Sequence, residues 1–309
     1  MTRRMLIAGA VAISGATILG AAPSGQAAQD QASVFRAGAD AVTVEASVRR
    51  DRRPVMGLKV TDFELLDNGV PQEITDVTYE KLPIDVTVLL DISASVTGTV
   101  LDELRRALRQ LRADLGTADR LKLVAFNMRI RRLVDFGEPA SVTDSALSAL
   151  AGSGSSAIFD SLAVALASPF PTGRRQLIVL FSDGQDSSSI IDTETLLDVA
   201  RRSTPTVAVV LASSPNRPAS LLRNASTRAN LTVGDLANQI ASETGGFVAT
   251  ITTGDNVTST FRRVLEQFRT TYVMYYTPRG VDRAGAHTLE VRLKKPGAEV
   301  RARRGYVWR

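Results

Sequence analysis

Cysteine is absent from the chain. This excludes disulfides, thiolate metal sites and thiol nucleophiles, so stability must come from the apolar core. Histidine occurs once, at His287. It lies in an alternating C-terminal run and reads as a strand residue, which leaves imidazole catalysis without a second candidate. There is no G-x-x-x-x-G-K-S/T phosphate loop and no G-x-G-x-x-G fingerprint after a strand. Beyond residue 22 no stretch is long and apolar enough to cross a bilayer. Acids and bases nearly balance: the formal charge of +5 falls to +3 once Arg3 and Arg4 are removed with a leader. So slight a bias does not argue for nucleic acid.

What is present describes a globular chain, 309 residues long with 44% apolar and 22% charged content, large enough for one big domain or one with a smaller companion. Thr2-Arg3-Arg4 followed by the apolar or small run Met5 to Ala22, with a small-x-small site at Gly25-Gln26-Ala27, predicts an export signal over residues 1–27. The arginine pair resembles a twin-arginine signal as an alternative to the Sec type; retention as a membrane anchor is the other reading. Either signal implies a periplasmic or extracellular protein. Residues 28–39 read as a linker.

The stretch Ile84-Asp85-Val86-Thr87-Val88-Leu89-Leu90-Asp91-Ile92-Ser93-Ala94-Ser95 is apolar on both faces and then turns abruptly to oxygen. Such a run predicts a central strand of a parallel sheet covered by helices on each side. Leu101, Leu104, Leu108, Leu111 and Leu115 follow at helical spacing and predict a helix laid over that sheet. Asp91, Ser93 and Ser95 then sit at a strand's carboxyl end, where open α/β sheets bind ligands. Their oxygens suit a hard divalent cation; a plain capping role is the competing reading.

Strands and helices alternate from residue 84 to 268. Strands are expected at 121–126, 130–136 (an edge), 177–181, 207–211 and 247–251, and helices at 142–150, 157–167, 194–202, 234–244 and 256–268. This predicts a doubly wound, mostly parallel α/β sheet over residues 83–270. Before it, residues 40–82 form a β segment, with a half-exposed strand at 42–48 and a hairpin turning at Asn68-Gly69. After it, residues 271–309 return to strands at 272–276, 287–293 and 300–307. The two β segments are expected to pack together as one flanking β domain. Arg301, Arg303, Arg304, Lys294 and Lys295 read as solvated strand faces. The long polar segment 212–233 is the candidate for partner selectivity.

Ser156, in the loop Gly152-Ser153-Gly154-Ser155-Ser156, and Asp183, ending the strand at 177–181, should reach the same edge as Asp91. This pattern resembles the von Willebrand factor A domain and its metal-ion-dependent adhesion site: D-x-S-x-S at 91–95, a hydroxyl at Ser156 where the family prefers threonine, and Asp183-Gly184. The segment Phe63 to Gln72, Ser182 to Asp186, Tyr275-Tyr276 and Arg303 to Tyr306 further resemble a bacterial exported subgroup of that family. The resemblance implies a Rossmann-like fold and a magnesium ion, with manganese or calcium as alternatives, held by Asp91, Ser93, Ser95, Ser156 and Asp183. It also implies a protein partner whose Asp or Glu carboxylate completes the coordination. The expected role is metal-dependent protein binding at the cell envelope by a monomer, without catalysis. One alternative is a metal-dependent hydrolase acting on phosphoesters; the dehalogenase-type arrangement wants a second Asp where Ser93 stands. The other is a scaffold in which the ion only ties loops together. A proton-transfer pair of Asp183 and Asp186 is a weaker option beside ligand or cap roles.

Overall fold

The computed structural model describes residues 41–79, 82–171, 173–212, 233–251 and 256–308. The predicted signal, the linker and nearly all of the 212–233 loop lie outside the described residues. The opening segment supplies β1 (Val42–Arg50), β2 (Arg53–Pro54), β3 (Phe63–Asp67), β4 (Val70–Gln72) and β5 (Ile74–Tyr79). The middle runs β6 (Ile84–Asp91), α1 (Gly98–Asp114), β7 (Arg120–Phe126), β8 (Ile130–Val134), α2 (Ala140–Ser148), α3 (Ile158–Ala167), β9 (Arg175–Ser182), α4 (Thr193–Arg202), β10 (Thr206–Ala212), α5 (Val233–Thr244), β11 (Phe247–Ile251) and α6 (Val257–Arg269). The tail adds β12 (Thr271–Tyr276), β13 (Gly285–Leu293), β14 (Glu299–Ala302) and β15 (Gly305–Trp308).

The middle folds as the expected doubly wound sheet, in the order β11-β10-β9-β6-β7-β8, parallel throughout except for the edge strand β8. All eight residues of β6 are buried. Val86, Val88 and Leu90 pack with Leu104, Leu108 and Leu111 of α1 and with Phe261, Val264 and Phe268 of α6. On the other face Leu89 meets Phe159 and Leu162 of α3, Leu196 of α4 and Ile240 of α5. Each such buried leucine contributes roughly 2 kcal/mol of transfer free energy. The chain leaves β6 toward β7 on one side and returns to β9 on the other. The strand order therefore reverses at β6, and its carboxyl end opens on the crevice that this reversal creates.

Strands from the two terminal segments interleave. One sheet runs β14-β1-β12-β5 with β2 paired to β1, another β15-β13-β3-β4, and Val44, Ala46, Phe63, Leu65, Met274 and Leu289 share one core between them. Two expectations need correction. Strand β1 is half exposed only at its start: Thr43 stays exposed, but Glu45 is part-buried and Ser47 buried, and Arg175 of β9 donates to Glu45 at 2.9 and 3.1 Å and to the Phe268 carbonyl at 2.8 Å. The guanidinium also stacks 4.0 Å from the Phe268 ring centroid. Glu45→Ala would leave Arg175, only 4% exposed, without its carboxylate. We expect a loss of about 2 kcal/mol in urea unfolding.

The second correction concerns the run 300–307, which breaks into β14 and β15 at Arg303-Arg304 and feeds two different sheets. Arg303 is not a solvated side chain. It turns inward, donating to the carbonyls of Ser203 at 2.6 Å and Gly305 at 2.7 Å, and burial pulls its pKa down. Gly305 then passes so close to β13 that a Cβ would lie 2.2 Å from the His287 carbonyl oxygen. The other expected strands and helices match to within one or two residues, while β2 and β5 have no counterpart among the expectations.

At the amino end of β6, Asp85 is fully buried between Arg120, at 2.5 Å, and Arg174, at 2.6 Å. Burial pushes its carboxyl up, but hydrogen bonds from Arg120, Arg174 and Gln176 and the charge of Arg174 outweigh it and hold the pKa below the ordinary value. With the folded-state pKa depressed, the unfolded chain takes up the proton first. The stabilisation is complete above about pH 4 and is lost as pH falls from there through the folded value. Acid unfolding followed by circular dichroism should show this component in the wild type and not in Asp85→Asn.

Candidate functional site

Strand β6 delivers Asp91 to the crevice with its side chain fully buried. Its Oδ1 accepts hydrogen bonds from the Ser93 amide at 2.9 Å and the Ser156 hydroxyl at 2.7 Å. Its Oδ2 accepts from the Ser182 hydroxyl at 2.6 Å. The hydroxyls of Ser93 and Ser95 lie 3.0 Å apart. Asp91, Ser93, Ser95 and Ser156 thus form one bonded cluster, with Ser93 and Ser156 buried and Ser95 exposed.

Backbone bonds bring the loops together. The Ala94 amide donates to the Gly154 carbonyl at 3.0 Å, and the Ser153 amide to the Ile92 carbonyl at 2.8 Å. Gly152 permits this approach: a Cβ there would stand 2.1 Å from the Val96 carbonyl oxygen. The amides of Ser187 and Ser188 both donate to the Ser156 carbonyl at 2.9 Å, tying the loop after β9 to the loop before α3.

Asp183 stands on that same turn, one residue beyond Ser182 and half-buried. Its carboxylate accepts from the Gln185 amide at 3.1 Å and makes no hydrogen bond to the other four expected ligands among the described residues. The link runs through Ser182, whose hydroxyl bridges Asp91 Oδ2 and the Gly184 amide, the latter at 2.9 Å. Sequence reasoning missed Ser182. The available signal was a hydroxyl closing an otherwise apolar strand, at the same carboxyl edge as Asp91.

Asp186 is a cap. It accepts from the Ile158 amide at 2.8 Å at the start of α3 and from the Ser189 hydroxyl at 2.6 Å, and burial, chiefly, raises its pKa. His287 is a buried strand residue of β13, as expected, but it is bonded to Asp67 and not to this crevice.

Among the described residues no three His, Cys, Asp or Glu side chains gather in one place. A cation here would therefore rely on two carboxylates and three hydroxyls. That oxygen-only set fits a hard ion. Asp91 Oδ2 has one protein donor for two lone pairs, and each hydroxyl keeps acceptor capacity.

The model of the von Willebrand factor type A domain matches residues 85–263, more than half of the chain. The protein belongs to this family. Its α/β part is a von Willebrand A domain, a fold that typically mediates protein–protein interaction. A curated relative, the Arabidopsis thaliana E3 ubiquitin-protein ligase WAV3, is 31% identical over 139 residues, covering 40% of this chain and 18% of that protein. The chain thus spans less than a fifth of that relative's length. Among solved structures, a von Willebrand factor type A protein from Catenulispora acidiphila is 13% identical with a TM-score of 0.48, covering 82% of this chain and 75% of that one. BatB from Bacteroides thetaiotaomicron is 15% identical with a TM-score of 0.45, covering 60% and 98%. The assignment rests on the domain match.

Proposed function

We propose that the von Willebrand A domain of this protein binds a protein partner through a divalent cation, magnesium first among the hard ions. Asp91, Ser93, Ser95, Ser156 and Asp183 are its ligands. The observation that carries the reading is the carboxylate–hydroxyl cluster around Asp91 at the strand-order reversal of the sheet. The two carboxylates balance the ion's charge and the five side chains leave one place in a six-oxygen shell, which an outside Asp or Glu carboxylate fills. That attraction grows as the docked surfaces exclude water and the local dielectric falls. The protein's residues supply the grip and no step of bond-making; we assign it no catalysis. With its arginine-led apolar leader, the chain is read as an exported monomer acting at the cell envelope. Among the described residues no helix is long and apolar enough to cross a membrane.

Calorimetric titration with magnesium tests the grip, and capture of envelope proteins with magnesium and then with chelator tests the role. Ser182→Ala is expected to weaken magnesium about tenfold by releasing Asp91 Oδ2, as loss of a ligand's supporting hydrogen bond typically does. Ser182→Thr, which keeps the hydroxyl, should bind nearly as wild type. A second reading draws on the direct hydrogen bonds that join the three loops: the ion would then only reinforce a scaffold. In that case partner binding would survive both chelator and Asp91→Ala.

A further inference from the structure

Beside the cluster, the turn between β7 and β8 is fastened to the site loops. Asn127 donates from its side chain to the Ser153 carbonyl at 2.9 Å, its own carbonyl accepts from the Ala157 amide at 3.0 Å, and its Oδ1 accepts from the Arg129 amide at 2.9 Å. Next to it, Met128 lies against Gly154, its Sδ 3.8 Å from where a Cβ of that glycine would stand. Gly154 is the residue whose carbonyl holds Ala94. Met128 therefore flanks the opening, yet it is 64% exposed.

The run continues Arg129-Ile130-Arg131-Arg132, all exposed, along an edge strand that no other described strand pairs on its outer side. Arg132 is bridged to Asp135, which also takes Lys122. Arg129 and Arg131 have no carboxylate partner among the described residues. A divalent ion in the crevice would neutralise Asp91 and Asp183, leaving these arginines to set the local field.

We propose that the β7–β8 turn and edge strand form the specificity-determining surface for an acidic, apolar-flanked segment of the partner protein. Met128 and Ile130 take its apolar side chains, and Arg129 and Arg131 its acids, next to the carboxylate that enters the site. The anchor in this picture rests on the preceding reading; the hairpin surface does not. Edge arginines also discourage strand addition. Glutamate at the same positions keeps the edge charged while reversing its sign, so substitution separates the two roles.

The test uses synthetic twelve-residue peptides, each with one central Asp, flanked by Leu with Glu or by Leu with Lys, and measures anisotropy with magnesium. The acidic peptide should bind about fivefold tighter or more, as two surface charge pairs supply. The order should reverse in R129E/R131E and persist in R129K/R131K. An unchanged order in R129E/R131E overturns the proposal, as does failure of the acidic peptide to bind wild type at millimolar concentration. If the acidic peptide binds as tightly in chelator as in magnesium and keeps its advantage, the hairpin surface stands and the metal anchor falls. If calorimetry registers magnesium but the flanks make no difference, the anchor stands and this surface falls.

Discussion

Replacing Asp67 with alanine is expected to lower the unfolding free energy by about 4 kcal/mol, because two buried donors and a half-buried one lose their acceptor together. Asp67 closes β3 with its side chain fully buried. Its Oδ2 accepts from the Tyr276 hydroxyl at 2.9 Å and the Tyr306 hydroxyl at 2.8 Å, and its Oδ1 from His287 Nδ1 at 2.8 Å. Tyr276 belongs to the sheet of β1 and the others to the sheet of β3, so one carboxylate joins both halves of the β core. Burial, first, and then the bonds around Asp67 push Tyr276 far above the ordinary phenol range, and burial raises Tyr306 as well. Both phenols remain donors at any physiological pH.

Alanine would strand all three groups, since His287 is covered by the Tyr306 ring, stacked at 4.5 Å between centroids. Tyr306→Phe removes one donor and leaves the carboxylate two others; it should lower stability by only about 1 kcal/mol. Trp308, the single tryptophan, lies 6.0 Å from the His287 ring and reports on this cluster directly. Urea unfolding followed by its fluorescence should therefore separate the two variants. Equal, small losses would mean that the network is not coupled as its geometry implies.

This network marks where sequence reading ran out. The hairpin at Asn68-Gly69 was legible because a two-residue turn between alternating runs is a local signal. That Asp67, beside the turn, would anchor His287 was not, because the two are 220 positions apart and neither periodicity nor turn chemistry pairs them. The same division holds elsewhere. Apolar runs announced β6 and β9 because burial on both faces leaves its mark in composition, whereas the inward turn of Arg303 looks in sequence like any other tail arginine. At the crevice, Asp91, Ser93, Ser95 and Ser156 could be gathered from strand ends and a familiar pattern. Ser182 could not, since a hydroxyl before an Asp-Gly turn gives no hint of which carboxylate it will meet.

Asp91→Ala is expected to abolish magnesium binding, with no heat in calorimetry at concentrations that saturate the wild type. The alanine removes one of two charges from the proposed ligand set, and with it the acceptor that orients Ser156 and Ser182 and the Ser93 amide. The variant will also lose intrinsic stability, about 3 kcal/mol, because those donors are left buried and unpaired. Loss of binding must therefore be separated from loss of fold. The difference that magnesium makes does so: at a hundred times its dissociation constant, a ligand specific to the folded state adds about 2.7 kcal/mol. The wild type should melt correspondingly higher with magnesium than with chelator, while folded Asp91→Ala should melt at one temperature in both. A wild-type melt indifferent to magnesium would remove the cation from the proposed function. A folded Asp91→Ala that still gains stability from magnesium would move the ion away from the crevice at the end of β6.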